Sequence, residues 1–295
     1  MDSGHDVVAV LTRPDAAVGR KKIMTASPVA MVAHELNLPS IKATSVTPSV
    51  IEQLSEHGAS LGVVVAYGAI LNQAALASLP QGWINLHYSI LPDWRGAAPV
   101  QNSILHGDRT TGVTLFQLDE GMDTGPILDS VQTEILPGET AGELLARLTE
   151  LSKTLLSQSL PLIQSGLAVR HPQPTEGLIR PAVKLGRSDA LIDWTKSAKS
   201  LERQVLALNP EPVAFTFIED QPIRILDALA ISDSEPSTLS PGTLVFESRK
   251  VSVVCGDSAL LVLREVQPSG KRPMPGLDWS RGVAGKFSKF NGVEF

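Results

Sequence analysis

The sequence predicts an α/β chain: a mostly parallel sheet flanked by helices, then a linker, then a small OB-like β-barrel. Three observations carry this. Short β-branched runs alternate with helical stretches between Val7 and Gln164, the rhythm of parallel β-α-β units. Residues 166–181 are poor in large apolar side chains and contain His171-Pro172-Gln173-Pro174, the composition of connecting chain. Beyond Asp189, about five short β-type runs are separated by Pro, Gly and Ser, the spacing of a small barrel. The expected boundaries are 1–166, a linker at 167–185, and 186–295.

Taken in order, Val7–Leu11 is a continuous β-branched run, as expected of a strand buried on both faces. Ser27-Pro28 opens a helix, because Ser caps and Pro suits the first turn. Strands are predicted at Leu61–Ala66 and Trp83–Tyr88, with helices near Val50–Gly58, Asn72–Ser78 and Pro99–His106. Further strands follow at Gly112–Leu118 and Ser130–Ile135. Thr140 and Glu143 have capping-box spacing and start a helix with the stripe Leu144, Leu148, Leu151 and Leu155, which Pro161 should kink or end. Ser197–Leu208 reads as a helix. The rear strands are placed at 214–218, 223–228, 242–246, 251–255 and 259–266.

The 295 residues are 43% hydrophobic and 19% charged, enough for ordinary cores and against a disordered chain. No apolar run reaches the ~20 residues that span a bilayer, and Asp2, His5 and Asp6 before the first apolar run do not read as a signal peptide. A cytoplasmic location and no membrane association are expected. The single cysteine, Cys255, excludes an intramolecular disulfide and a Cys-rich zinc site. Net charge is −6, yet residues 180–295 hold 15 Lys/Arg against 14 Asp/Glu. The rear part is thus comparatively basic, which permits a polyanionic partner without requiring one.

The densest chemistry lies in Asn85–Gln101, NLHYSILPDWRGAAPVQ. Asn85 and His87 are two apart on a strand, so both side chains leave one face, near the carboxyl end where open α/β sheets bind ligands. Asp123 follows in the Gly-rich loop LDEGMDTGPIL, expected at the same edge. An amide, an imidazole and a carboxylate suit acyl transfer to an amine. The amide donates to a carbonyl oxygen gaining charge, the imidazole moves protons, and the carboxylate orients it and favours its protonated form. Singly, each residue is more often structural; together they are specific.

On Asn85, His87, Ser89-Ile90-Leu91-Pro92 and Asp123-Thr124-Gly125 the sequence resembles the folate-dependent formyltransferase family. The resemblance implies a Rossmann-like catalytic domain, catalytic Asn85, His87 and Asp123, and a tetrahydrofolate site lined by Ser89, Ile90, Leu91 and Pro92. Trp94–Gln101 is similar to the branch acting on methionyl-tRNA. For that branch the donor is 10-formyltetrahydrofolate, the acceptor is initiator methionyl-tRNA, no metal is needed, and the chain is a monomer. The alternatives are a different amine acceptor, such as glycinamide ribonucleotide or a sugar nucleotide, and an inactive tRNA- or folate-binding remnant.

The stretch TRPDAAVGRKKIMTAS places Arg20, Lys21 and Lys22 in a basic loop, suited to phosphate contact. By resemblance it is the tRNA-acceptor loop, one glycine shorter than the family pattern. Lys184 and Arg187, at the linker–barrel junction, are further tRNA contacts on the same ground. The resemblance also implies a strand and a Gly-Thr-Pro turn ahead of Met1–His5. A chain lacking that central strand is expected to start upstream in its natural form or to fold weakly, since buried unpaired backbone groups cost ~1–3 kcal/mol each.

Overall fold

The computed structural model describes residues 4–19, 21–174, 179–231 and 236–290. Its first apolar run yields strand β1 (Val10–Thr12), shorter than the run itself. The basic loop that follows is not irregular: it folds as an exposed antiparallel hairpin, β2 (Ala16–Val18) with β3 (Ile23–Thr25). Helix α1 (Pro28–Glu35) begins as its sequence predicts, with the Ser27 hydroxyl accepting from the Ala30 N–H at 3.1 Å. Strand β4 (Ser40–Lys42) returns parallel to β1. Helix α2 (Pro48–Glu56) is capped by Thr47, strand β5 is Gly62–Val64, and the short helix α3 (Gln73–Leu76) is capped by Asn72.

Strand β6 (Trp83–His87) carries Trp83, Ile84, Leu86 and His87 buried and only Asn85 partly exposed. A strand covered on both faces reads this way. After the two-residue β7 (Arg95–Gly96) and helix α4 (Pro99–His106) come β8 (Thr110–Gln117) and β9 (Ile127–Glu134). The order β5-β6-β8-β9 forms one sheet, in which β5 is parallel to β6 but β8 is antiparallel to it. One core gathers Ile41, Val50, Leu54, Ala75 and Trp83, with Leu11 and Val64 packed against it, so the pairs β1–β4 and β5–β6 share a single apolar layer with α2 and α3.

Helix α5 (Ala141–Gln164) starts at the capping box: the Glu143 carboxylate accepts from the Thr140 N–H at 2.9 Å and its own N–H donates back to the Thr140 hydroxyl. Pro161 does not end it as expected: the helix runs three residues further, at the cost of the one intrahelical hydrogen bond that proline cannot donate. The segment after α5 is pinned rather than free, since His171 and Ile127 exchange two backbone hydrogen bonds at 2.8 Å.

After the short β10 (Pro181–Ala182) comes helix α6 (Ala198–Ala207), capped by Ser197. Strands β11 (Phe215–Ile218), β12 (Gln221–Ile231), β13 (Leu244–Phe246), β14 (Val251–Val254) and β15 (Leu260–Pro268) follow, with β16 (Met274–Pro275) and helix α7 (Gly276–Val283). The sheet runs β11-β12-β15-β14-β13, with β16 on β15, antiparallel throughout. Its register slips around Asp227, where a bulge curls the sheet. The rings of Trp194, Phe290 and Trp279 stack at 5.3 and 5.8 Å inside it. The chain forms two compact units, residues 1–97, 112–132 and 150–181 in one, and 98–111, 133–149 and 182–295 in the other.

Candidate active site

Strand β6 sets the site. Its alternation sends Asn85 and His87 to one face, two residues apart. His87 is 5% exposed, held edge-on to Phe116 with ring centroids 6.4 Å apart. Its Nε2 lies 2.7 Å from the Trp94 carbonyl oxygen. A carbonyl only accepts, so Nε2 carries the proton and the neutral ring keeps its lone pair on Nδ1. That Nδ1 lies 3.7 Å from Asp123 Oδ2, and the same carboxylate oxygen accepts the Gly96 N–H at 2.8 Å. Burial pushes the His87 imidazole below its ordinary value of 6.5, against the opposing pull of the Asp123 charge and of the Trp94 carbonyl. The expectation that Asp123 favours the protonated form is therefore met in direction but outweighed by desolvation.

The route of Asp123 to the site differs from the one its sequence suggests. Because β8 runs antiparallel to β6, pairing Gln117 with Ile84, its carboxyl end lies at the wrong end of β6. The loop after β8 doubles back instead. Gly125 permits this: a side-chain carbon there would fall 1.8 Å from the Gln117 carbonyl oxygen. Asp123 itself adopts φ 55° and Trp94 φ 62°, sparsely populated values for such residues that cluster at functional sites.

The stretch Ser89–Pro92 forms the turn that delivers the Trp94 carbonyl. Ser89 is fully buried, its hydroxyl donating to Asp93 O at 2.6 Å. Thr114 Oγ1 donates to Ser89 O at 2.7 Å and accepts from Leu91 N–H at 3.1 Å. Leu91 is buried, while Ile90 and Pro92 are partly exposed. Replacing Thr114 with Val keeps the shape and strands two buried backbone groups. A loss of ~1–3 kcal/mol is expected, read as a lowered denaturant midpoint; an unchanged midpoint would show the hydroxyl to be dispensable.

Several residues here have roles that the sequence does not announce. To His87 and Asp123, Trp94 offers a carbonyl and Gly96 an N–H, while Thr114 acts as the brace. The basic residues Lys21 and Lys22 lie exposed in the hairpin turn, Lys22 at φ 48°, whereas Arg20 lies outside the described residues. Lys184 and Arg187 are exposed in the second unit, the Arg187 guanidinium 5.5 Å from the Phe215 ring centre. Among the described residues, no cluster of three or more His, Cys, Asp or Glu is placed to hold a metal ion, and no helix is long and apolar enough to cross a membrane.

Residues 1–160 match the family model described as formyl transferase, and residues 184–284 match that of the formyl transferase C-terminal domain. The chain belongs to the formyltransferase family. A methionyl-tRNA formyltransferase of Paenarthrobacter aurescens is 44% identical to this formyltransferase, covering 96% of this chain and 90% of the relative. One of Thermobifida fusca is 43% identical, covering 95% and 90%. Among solved structures, the sugar 3N-formyl transferase WlaRD, determined with dTDP and 5-N-formyl-THF, superposes with TM-score 0.63 at 15% identity over 91% of each chain. HypX from Aquifex aeolicus gives 0.62 at 18% identity, over 94% of this chain and 48% of that one. At such identities these two speak for the fold: an α/β formyltransferase unit followed by a curled antiparallel sheet.

Proposed function

We propose that this formyltransferase moves the formyl group of 10-formyltetrahydrofolate onto the α-amino group of methionine esterified to initiator tRNA, for translation initiation. The carrying observation is the meeting of His87 and Asp123 at 3.7 Å on the strand face that also bears Asn85. The likeness to methionyl-tRNA formyltransferases supplies the acceptor.

The chemistry follows from the tautomer. The neutral amine attacks the formyl carbon, and the carbonyl electron pair moves to oxygen, where the Asn85 carboxamide donates a hydrogen bond. The attacking nitrogen gives its proton to His87 Nδ1, the only ring nitrogen free to take it, and Asp123 steadies the imidazolium so formed. His87 returns the proton to the folate nitrogen as the old C–N bond breaks and the carbonyl re-forms. The partly exposed Ile90 and Pro92, with Ser89 and Leu91 behind them, border the donor. Arg20, Lys21, Lys22, Lys184 and Arg187 meet phosphates of the tRNA. The enzyme acts as a cytoplasmic monomer and needs no metal.

Incubating the purified chain with 10-formyltetrahydrofolate and charged initiator tRNA should give formylmethionyl-tRNA. Glycinamide ribonucleotide and an amino-sugar nucleotide serve as rival acceptors. Formylation of a rival alone overturns the acceptor, and no transfer to any overturns the reading. The buried imidazole makes a further expectation. Because its pKa is lowered, the basic form persists below pH 6.5, so the His87 limb of kcat/KM should lie below that value, apart from the limb of the acceptor amine, whose free pKa is ~7.7–8.0. Asp123→Asn removes a charge that raises the pKa and should move the limb lower still. A profile in which Asp123→Asn displaces no limb would exclude His87 as the base.

A further inference from the structure

We propose that Gln173, in the segment joining the two family-matched regions, is a positioning residue that ties the two loops around His87 together. It is 7% exposed. Its Oε1 accepts from Arg95 Nε at 3.1 Å and Nη2 at 2.6 Å. Its Nε2 donates to the Asp123 carbonyl at 3.0 Å and the Gly125 carbonyl at 2.7 Å. One carboxamide thus makes four hydrogen bonds, all to the two loops that supply the groups on His87.

The connections close on themselves. Trp94, which accepts from His87 Nε2, precedes Arg95; Gly96, which donates to the Asp123 carboxylate, follows it. Arg95 and Asp123 are then joined through Gln173. Both Trp94 and Asp123 hold positive φ, a conformation that persists only where surroundings over-determine it. The same segment adds a second hold on the first loop: Arg180 donates to Asp93 Oδ2 at 2.6 Å, lies 4.2 Å from the Trp94 ring centre, and accepts the Trp94 N–H at 2.7 Å through its carbonyl. Four bonds from one side chain between two prolines thereby set the distance between Asp123 and His87. With its carboxamide spent on the Arg95 guanidinium and the Asp123 and Gly125 carbonyls, Gln173 acts through the loops that carry the groups on His87.

This inference rests on the proposed formyl transfer, and the assay separates the two. With wild type active, Gln173→Ala should lower kcat on the order of 10- to 100-fold, the scale of a small misplacement at a reacting centre. The KM for charged tRNA and for the folate should stay within about threefold, since neither ligand loses a contact. Gln173→Glu, which keeps the shape and the Arg95 pairing but has no N–H to donate to the two carbonyls, should lose kcat likewise. It is the second variant if the alanine protein melts. Full kcat in either folded variant, or a loss confined to KM, overturns the positioning role. An inactive wild type overturns the function itself.

Discussion

Replacing His87 with alanine is expected to lower kcat by roughly 10²- to 10⁴-fold, the range of a lost general acid–base. Two features make the loss large. His87 Nε2 is committed to the Trp94 carbonyl at 2.7 Å, so Nδ1 is the nitrogen of the ring left to take a proton, and Asp123 at 3.7 Å is already placed to balance the charge that protonation creates. Substrate KM should change by no more than about threefold, because a proton carrier contributes little to ground-state binding. The variant also leaves a buried carbonyl without its donor, so ~1–3 kcal/mol of stability should go with it. Single-turnover transfer measured below the melting temperature separates the two effects. Wild-type rates in folded His87→Ala would remove the imidazole from the reaction.

How far this site could be read from the chain depends on which atoms do the work. Asn85 and His87 were legible because a strand's period of two forces positions i and i+2 to one face, and β6 obeys it. The helix starts at Ser27, Thr140 and Ser197 were legible because caps are local chemistry. Asp123 was legible as a residue but not as a path: the reversed direction of β8 is a property of sheet pairing, which no local pattern encodes. The roles of Trp94, Gly96 and Gln173 were not legible for a different reason. Two act through backbone groups that every residue possesses, and the third reaches across 48 to 78 residues of sequence from a stretch whose composition reads as connector. The β2–β3 hairpin was hidden likewise, its strands being three residues each and fully or largely exposed.

The larger test of the oxyanion assignment is a pair of changes at Asn85. The residue sits between Val64 on β5 and Phe116 on β8, so its backbone is fixed by neighbours on both sides, while its side chain is the one on β6 that retains partial exposure. Its carboxamide therefore starts from a fixed backbone without being part of the core. Asn85→Ala should lower kcat by about 10²- to 10³-fold, the loss seen when a single preorganised donor to a developing oxyanion is removed. Stability should move by no more than about 0.5 kcal/mol. Asn85→Asp is nearly isosteric yet replaces a donor by a carboxylate, which repels the negative oxygen and competes with Asp123 for the imidazolium. It should be slower than the alanine variant, although it fills the space better. That order distinguishes electrostatic stabilisation from shape: if packing against the donor were the role, aspartate would outperform alanine, and if the amide only bound substrate, both losses would fall on KM.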